Sequence, residues 1–424
     1  MLTNDDRLDL LRATLQRAVT RIPWYQERAA QYAVPMDSLA DLARLPFVRP
    51  RDFFDDPAAF AVGEGWPDVI SYSSSTTGAI GRARWHSVAE AEACAALAVG
   101  GAVAGDTLVI HPFDQASVLR SGSETGRLYV PMLLPWHFEK IHALLRDGWR
   151  GPGGQVHRFT ELDCFSPGLR ILTSWLQARG ADPREFGIEL LTGYGSIQPG
   201  PWRRLLEDTW GARYRDIYGL SEVKLGDAVS CPLCGAYHFN RPIIAEVVDP
   251  DSQQPVVEGP GILVLTELYP YAQLQTLLRY WTDDLVKIAE PCLLHPPGLR
   301  FLGRLQDSVL LRRPGRSIAV GALQVAELCA EWPDVRLAPV AWAPWAHDVG
   351  APRCRLSLEG DELCLAAELR YLPHLFPARA AQVRAALRTA LLERVPGLAD
   401  AVADGAISLR VEACAPETLD AAKV

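Results

Sequence analysis

Short apolar runs alternate with helix-patterned segments through the first half of the chain, and this alternation limits the fold more than any other feature. Asp68–Tyr72, Thr107–Ile110 and Glu189–Thr192 are brief runs with the length and composition of strands buried in a sheet. Val88–Val99, Leu169–Ala178 and Pro201–Thr209 carry helical patterning instead. Such alternation predicts an α/β fold in layers. The chain opens with an amphipathic helix: Thr3 and Asn4 supply capping oxygens, Leu8, Leu11, Leu15 and Val19 share a face, and Pro23 is the expected stop. From about Cys231 to Ile288 the pattern turns strand-rich, with Ile243–Val248 and Gly261–Leu265 joined by a turn through Asp249, Pro250, Asp251 and Ser252. Pro296-Pro297-Gly298 is the clearest boundary, with Phe301–Arg304 just after it. It sets a large domain, 1–302, apart from a small one, 303–424, where Cys354–Leu358 and Leu363–Leu369 read as strands and Ala380–Leu392 as a helix.

Composition narrows the partners. The formal net charge of −9 argues against nucleic acid and against an anionic membrane surface. No run approaches the roughly 18 apolar residues of a membrane span. The acidic start, Met1–Asp6, lacks the basic and apolar regions of a secretory leader. Nine cysteines, an odd number scattered over a long chain, fit a reducing cytoplasm better than a disulfide framework. Of the 42 basic residues only Lys140, Lys224, Lys287 and Lys423 are lysine. Genomic bias accounts for most of that scarcity, yet a retained amine is a compact point charge that arginine cannot imitate.

Four stretches carry chemistry. Ser73-Ser74-Ser75-Thr76-Thr77-Gly78 follows a strand and precedes a helix, and its hydroxyls and backbone N–H groups suit phosphate oxygens. It lacks the Gly-Lys-Ser/Thr ending of a Walker loop, but Arg82 and Arg84 follow and can supply positive charge. Asp216–Glu222 offers an aromatic face at Tyr218, close backbone approach at Gly219, and a carboxylate at Glu222 for a hard cation such as Mg²⁺. Arg279–Leu285 ends in the acids Asp283 and Asp284, one of which can hold two ribose hydroxyls. Gly303–Asp307 lies at the domain boundary.

In this order the four stretches resemble the motifs of acyl-adenylate-forming (AMP-forming) enzymes. Residues 73–78 match the family's phosphate loop, Tyr218–Glu222 its Tyr-Gly-x-Ser/Thr-Glu, Tyr280–Leu285 its Tyr-Arg-Thr-Gly-Asp-Leu, and Gly303–Asp307 its hinge motif. Ile22–Arg28 and Asp41–Asp52 resemble two stretches of the phenylacetate–CoA ligase-like branch. The resemblance implies a large N-terminal domain of layered α/β and β subdomains, and a small α+β C-terminal domain that rotates between half-reactions. It implies an ATP-dependent ligase: a carboxylic acid becomes acyl-AMP with loss of pyrophosphate, and a thiol, usually that of CoA, displaces AMP. By position, Ser73–Gly78 would hold the pyrophosphate end of ATP, Tyr218 would pack on adenine beside Gly219 and Ser221, Glu222 would bind Mg²⁺, and Asp284 and Arg304 would hold the ribose. Relatives also carry a catalytic lysine near the C-terminus, and Lys423 is the candidate here, against the plainer reading of a solvated terminal residue.

The departures from the family pattern bear on function. Ser75 replaces the loop glycine, Asp283 the glycine before the ribose acid, and Gln306 the hinge acid. Leu311–Arg316 replaces the glycine loop that in relatives helps form the pantetheine route. The acyl acceptor therefore stays open between CoA and another nucleophile such as a carrier-protein thiol or an amine. A degenerate, zinc-stabilised nucleotide-binding regulator is a third reading. Cys231-Pro232-Leu233-Cys234 has the spacing of half a tetrahedral Zn²⁺ site, and His238, Cys292 and His295 are candidates for the rest. Two free loop thiols are the plainer alternative. The other cysteines lie in apolar contexts. Candidate pocket residues for the acid are His111, Ser121, Tyr194, Gly195 and Ser196, near strand ends; Trp136, His137 and Phe138 add aromatic surface. An aromatic acid is the expected substrate, and a homodimer the one assembly entertained.

Overall fold

A computed structural model describes residues 3–63, 67–72, 83–90, 105–111, 118–119, 126–223, 227–239, 242–293, 297–313, 316–340 and 349–419, with backbone alone at 69, 71, 72, 83, 111, 118, 119, 313 and 316. The protein is a mixed α/β fold. Its contacts divide it into two compact units, residues 1–101 with 218–301, and residues 102–217 with 302–424.

In the first unit the opening helix, Asn4–Arg21, starts at a capping box between Thr3 and Asp6 and ends ahead of Pro23. Leu11, Leu15 and Ala18 are buried, and Leu8 and Val19 half-buried. The strands Ile243–Val248, Pro260–Glu267 and Tyr280–Ile288 run antiparallel, with Val247 opposite Leu263 and Ile262 opposite Leu285. Leu299–Arg304, Tyr237–Phe239 and Ala228–Ser230 continue the sheet in that order. Two buried ion pairs tie outlying segments to these strands. Arg84, on the strand Ala83–His86, is 1% exposed and sets Nη2 at 2.9 Å from both carboxylate oxygens of Glu267. It also donates to the Gln275 carbonyl. Arg279 bonds both oxygens of Glu246 at 3.1 and 3.0 Å and reaches the carbonyls of Ala43 and Leu45.

In the second unit Asp106–His111, Arg127–Pro131, Phe159–Phe165, Leu190–Tyr194 and Arg213–Tyr218 pair in parallel, in the sheet order 213–218, 190–194, 159–165, 106–111, 127–131. The two sheet faces differ, as the period of two requires. Leu108, Ile110, Leu162 and Leu191 point into a core with Phe138 and Ile141 of the helix Pro135–Asp147, Leu169 and Leu172 of Ser166–Gln177, and Trp210 of Gly200–Trp210. The opposite face carries Glu161, Asp163, Thr192, Tyr194 and Arg215. The segment from Val309 onward has a core of its own, in which Val320, Val325, Leu365, Leu387, Leu391 and Leu409 pack together. Its strands Cys354–Glu359, Glu362–Glu368 and Ser408–Cys414 form one sheet beside the helix Pro377–Arg394. Glu368, fully buried, accepts from Arg336 at 2.8 Å, Arg353 at 2.9 Å, and the backbone N–H groups of Glu417 and Leu419 at 2.8 and 3.2 Å.

Candidate functional site

Tyr218 and Asp284, 66 residues apart, meet inside the first unit. The buried Tyr218 hydroxyl donates to Asp284 Oδ2 at 2.6 Å. Its ring stacks on Phe301, with centroids 4.0 Å apart and planes at 27°. Tyr237 closes on the far side of Phe301 edge-on at 5.1 Å. Phe301 and Tyr237 belong to this site and carry no motif that would single them out in the sequence. Both fill alternate positions of strands, which reads only as core.

The chain conformation around Asp284 accounts for a departure from the family pattern. Asp283 sits at φ +61°, in the left-handed region that favours glycine, at the point where the register between Pro260–Glu267 and Tyr280–Ile288 shifts. Aspartate is among the few other residues that tolerate this region. Asp283 also accepts a 2.7 Å bond from Trp281 Nε1. Asp284 is fixed in turn by its own N–H, which donates to Thr282 Oγ1 at 3.1 Å. Beyond Tyr218 the chain bends through exposed Gly219 and Ser221 to buried Glu222. A Cβ on Gly219 would lie 2.5 Å from Asp227 Oδ1, so a larger residue there would displace the Asp227 carboxylate.

The other described candidates for the nucleotide, the hinge and the acid pocket lie in the second unit. Arg304, exposed, ends the strand Leu299–Arg304, and exposed Gln306 follows in a short 3₁₀ turn. Tyr194 donates to the Ile110 carbonyl at 3.2 Å, and burial pushes its phenol well above the usual tyrosine range. Gly195, at φ +81°, passes against the Phe165 ring, and Ser196 is half-buried. Sequence reasoning overlooked Asp163 on the same sheet face. Its Oδ1 is sealed from solvent without a hydrogen-bond partner among the described residues, and burial raises its carboxyl to about 6. The signal was an acid inside an apolar run, Phe159–Phe165.

Cys231, Cys234, His238 and Cys292 converge in the first unit. One donor atom from each lies within 4.8 Å of all the others. Cys231 Sγ is 4.0 Å from Cys292 Sγ, and Cys234 Sγ is 3.2 Å from His238 Nε2. Tetrahedral zinc with bonds of about 2.0–2.3 Å needs ligand separations of roughly 3.5–3.8 Å, so this donor set fits.

Two expectations are corrected. Arg84 cannot answer for phosphate charge, because its guanidinium is buried in the core with Nη2 held by Glu267 and Gln275. His137 and Phe138 are fully buried, and His137 Nδ1 caps the N–H groups of Leu133 and Leu134; neither adds aromatic surface. Ser73, Ser74, Ser75, Thr76, Thr77, Gly78, Arg82, Ser121, Lys224, His295 and Lys423 lie outside the described residues, as does the side chain of His111.

No protein-family model matches the chain. It is 29% identical over 320 residues to a phenylacetate–coenzyme A ligase of Thermus thermophilus, covering 69% of this chain and 68% of that one. It is 27% identical over 339 residues to a phenylacetate–coenzyme A ligase of Pseudomonas putida, covering 72% and 71%. Its fold superposes on a 2-hydroxyisobutyryl-CoA ligase, solved in an open conformation with 2-HIB-AMP and CoA, with a TM-score of 0.69 at 17% identity, over 99% of this chain and 90% of that one. Among the described residues no helix is long and apolar enough to cross a membrane.

Proposed function

We propose that this phenylacetate–CoA ligase-like, AMP-forming chain activates a small carboxylic acid with ATP and passes the acyl group to CoA. The observation that carries the reading is the buried Tyr218–Asp284 pair at 2.6 Å, with Glu222 buried four residues beyond Tyr218. In the first half-reaction an acid oxygen attacks the α-phosphorus and the bond to pyrophosphate breaks. In the second, a thiol sulfur attacks the acyl carbon and AMP leaves. Asp284 accepts ribose hydroxyls together with Arg304, and Tyr218 lines the adenine. Glu222 supplies an oxygen ligand for Mg²⁺, which neutralises phosphate charge when bound. Ser73–Gly78 take the pyrophosphate end, and Lys423 reaches the reacting oxygens from the C-terminal tail. The segment 303–424, with its separate core, is the moving domain, and Gln306 marks the hinge. Tyr194, Gly195, Ser196, His111 and Ser121 line the acid pocket, for which an aromatic acid is the substrate class. The four-donor cluster holds structural Zn²⁺. A reducing cytoplasm suits these thiols.

A carrier-protein thiol in place of CoA is the second reading. It is favoured by Val309–Arg313 and Arg316–Val320, which pair as a regular hairpin where relatives carry a glycine loop. One screen decides: pyrophosphate release over a panel of aromatic acids, with and without CoA. Acid-dependent release followed by CoA-dependent AMP release is expected. AMP release that needs a carrier protein selects the second reading. Nucleotide binding without any acid-dependent release would leave a non-catalytic nucleotide-binding protein.

A further inference from the structure

The thiol cluster and the nucleotide residues share the same two strands. Tyr280–Ile288 carries Asp284 and runs on into Cys292; Leu299–Arg304 carries Phe301 and emerges from the same connection. That connection is closed by a 2.9 Å bond from Ala289 N–H to the Gly298 carbonyl. It lies tight against the cysteine knuckle: a Cβ on Gly298 would meet Ala236 Cβ at 2.8 Å and His238 Cε1 at 2.9 Å. Arg300 donates to the Cys234 carbonyl at 3.0 Å, and Leu299 pairs with Tyr237.

From there contact is continuous. His238 supplies a donor atom to the cluster, and its neighbour Tyr237 packs edge-on to Phe301. Phe301 stacks on Tyr218, and Tyr218 holds Asp284. Without a metal, the thiols and the imidazole meet through weak contacts such as Cys231 Sγ to Cys292 Sγ at 4.0 Å and Cys234 Sγ to His238 Nε2 at 3.2 Å. With Zn²⁺ bound, Cys292 is tied to Cys231, Cys234 and His238, at the connection between these two neighbouring, hydrogen-bonded strands. Two chemical groups thus meet in one block, a soft-metal site and an aromatic stack that ends on a carboxylate.

We propose that metal occupancy of the Cys231–Cys234–His238–Cys292 cluster sets the affinity for adenine nucleotide, through Tyr237 and Phe301. The four ligands and Tyr237 are then positioning residues, acting on Tyr218 and Asp284 without touching the nucleotide. The proposal rests on the zinc and nucleotide readings above, and deepens them by making one depend on the other. Cys164, Cys329 and Cys354, by contrast, are buried in two other hydrophobic cores.

The test measures AMP binding by calorimetry on the full chain, as loaded with Zn²⁺ and after stripping under reducing conditions, with zinc content by elemental analysis. The loaded protein is expected to hold one zinc and to bind AMP at least tenfold more tightly than the stripped one, with recovery when Zn²⁺ returns. Because stripping can unfold the chain, Tyr237→Leu is the second arm. It keeps all four ligands and should keep one zinc, yet weaken AMP binding several-fold and shrink its dependence on zinc. Cys364→Ser, outside the cluster, should change neither quantity. Equal AMP affinity in loaded and stripped protein overturns the proposal, and so does a Tyr237→Leu protein that binds AMP as the parent does. Absence of zinc from the purified chain, with none taken up, sinks the zinc reading itself; zinc without any AMP binding sinks the nucleotide reading.

Discussion

Glu267 and Glu368 are both fully buried, both hold arginine, and their carboxyls shift in opposite directions. Burial is the largest influence on each, and it raises both. At Glu267 it prevails over the Arg84 charge and the Leu277 N–H, with the nearby Glu90 carboxylate adding to it, and the carboxyl ends above the ordinary glutamate range. At Glu368 the N–H groups of Glu417 and Leu419 and the guanidiniums of Arg353 and Arg336 together outweigh it, and the carboxyl ends below that range. Among the described contacts, Glu368 is met by two guanidiniums and two backbone N–H groups, and Glu267 by one guanidinium and one N–H group. Arg84 itself is incompletely satisfied, since its Nε and Nη1 are sealed with no hydrogen-bond partner among the described residues. The lesson concerns function as well as stability. The Glu267 cluster withdraws Arg84 from any phosphate. The Glu368 cluster fixes Glu417 and Leu419, the root of the tail that leads to Lys423.

The sharpest way to break this comparison is to remove one cation from each cluster. Arg84→Ala leaves Glu267 buried without its guanidinium, and should cost about 3–5 kcal/mol in urea denaturation. Arg353→Ala leaves Glu368 with Arg336 and two backbone donors, and should cost about 1.5–3 kcal/mol. Equal losses would mean that donor number does not distinguish the two sites. Adenylation should also separate them once stability is matched by temperature. The Arg353 variant loosens the tail and should slow pyrophosphate release, whereas the Arg84 variant should leave it near the parent rate per folded molecule.

Much of the fold was legible because periodicity reports burial directly. Ile243–Val248 is a strand over the stretch its apolar run marks, and Gly200–Trp210 and Ser166–Gln177 form helices within a few residues of their patterned segments. Strands with acids inside them were not legible. Phe159–Phe165 interleaves Glu161 and Asp163 with apolar residues, and Tyr280–Ile288 hides its strand behind Asp283 and Asp284. Glu161 answers to an ion pair with Arg215 and Asp284 to the Tyr218 hydroxyl rather than to solvent, and local pattern cannot tell such acids from exposed ones. The meeting of Tyr218 with Asp284 could be anticipated only from motif order. The pairing of Cys231 with Cys234 followed from local spacing, and His238 and Cys292 were two of the three candidates to join them. Arg84 misled because a charged residue near a hydroxyl-rich loop looks like a ligand until its burial is known.

Acidity tests the two glutamates with opposite signs and smaller effect. For Glu368 the folded carboxyl lies below its unfolded value, so the unfolded chain binds more protons in the window between them. Its contribution to stability is present above the unfolded value, near 4.3, and is lost as pH falls through the folded one. For Glu267 the folded carboxyl lies above the unfolded value. Its contribution is full below the unfolded value and declines as pH rises through the folded one. Denaturation midpoints measured from about pH 2.5 to 7 should therefore show Glu368→Gln removing part of the loss on the acid side. Glu267→Gln should remove a decline in the other direction. Slopes of the same sign in the two variants would refute the assignment.

The smallest expected effect isolates burial from geometry. Arg394 grips both oxygens of Glu331 at 2.7 and 2.6 Å, as closely as any arginine in the two buried clusters, but the side chains are 50% and 30% exposed. Water already solvates both charges there, so either one left alone is rehydrated rather than stranded. Glu331→Gln should cost less than about 1 kcal/mol, and less again in high salt. If it cost as much as Arg84→Ala, bidentate contact rather than burial would govern all three pairs, and the contrast between Glu267 and Glu368 would have to be read from contact geometry instead of from the number of donors that answer a buried charge.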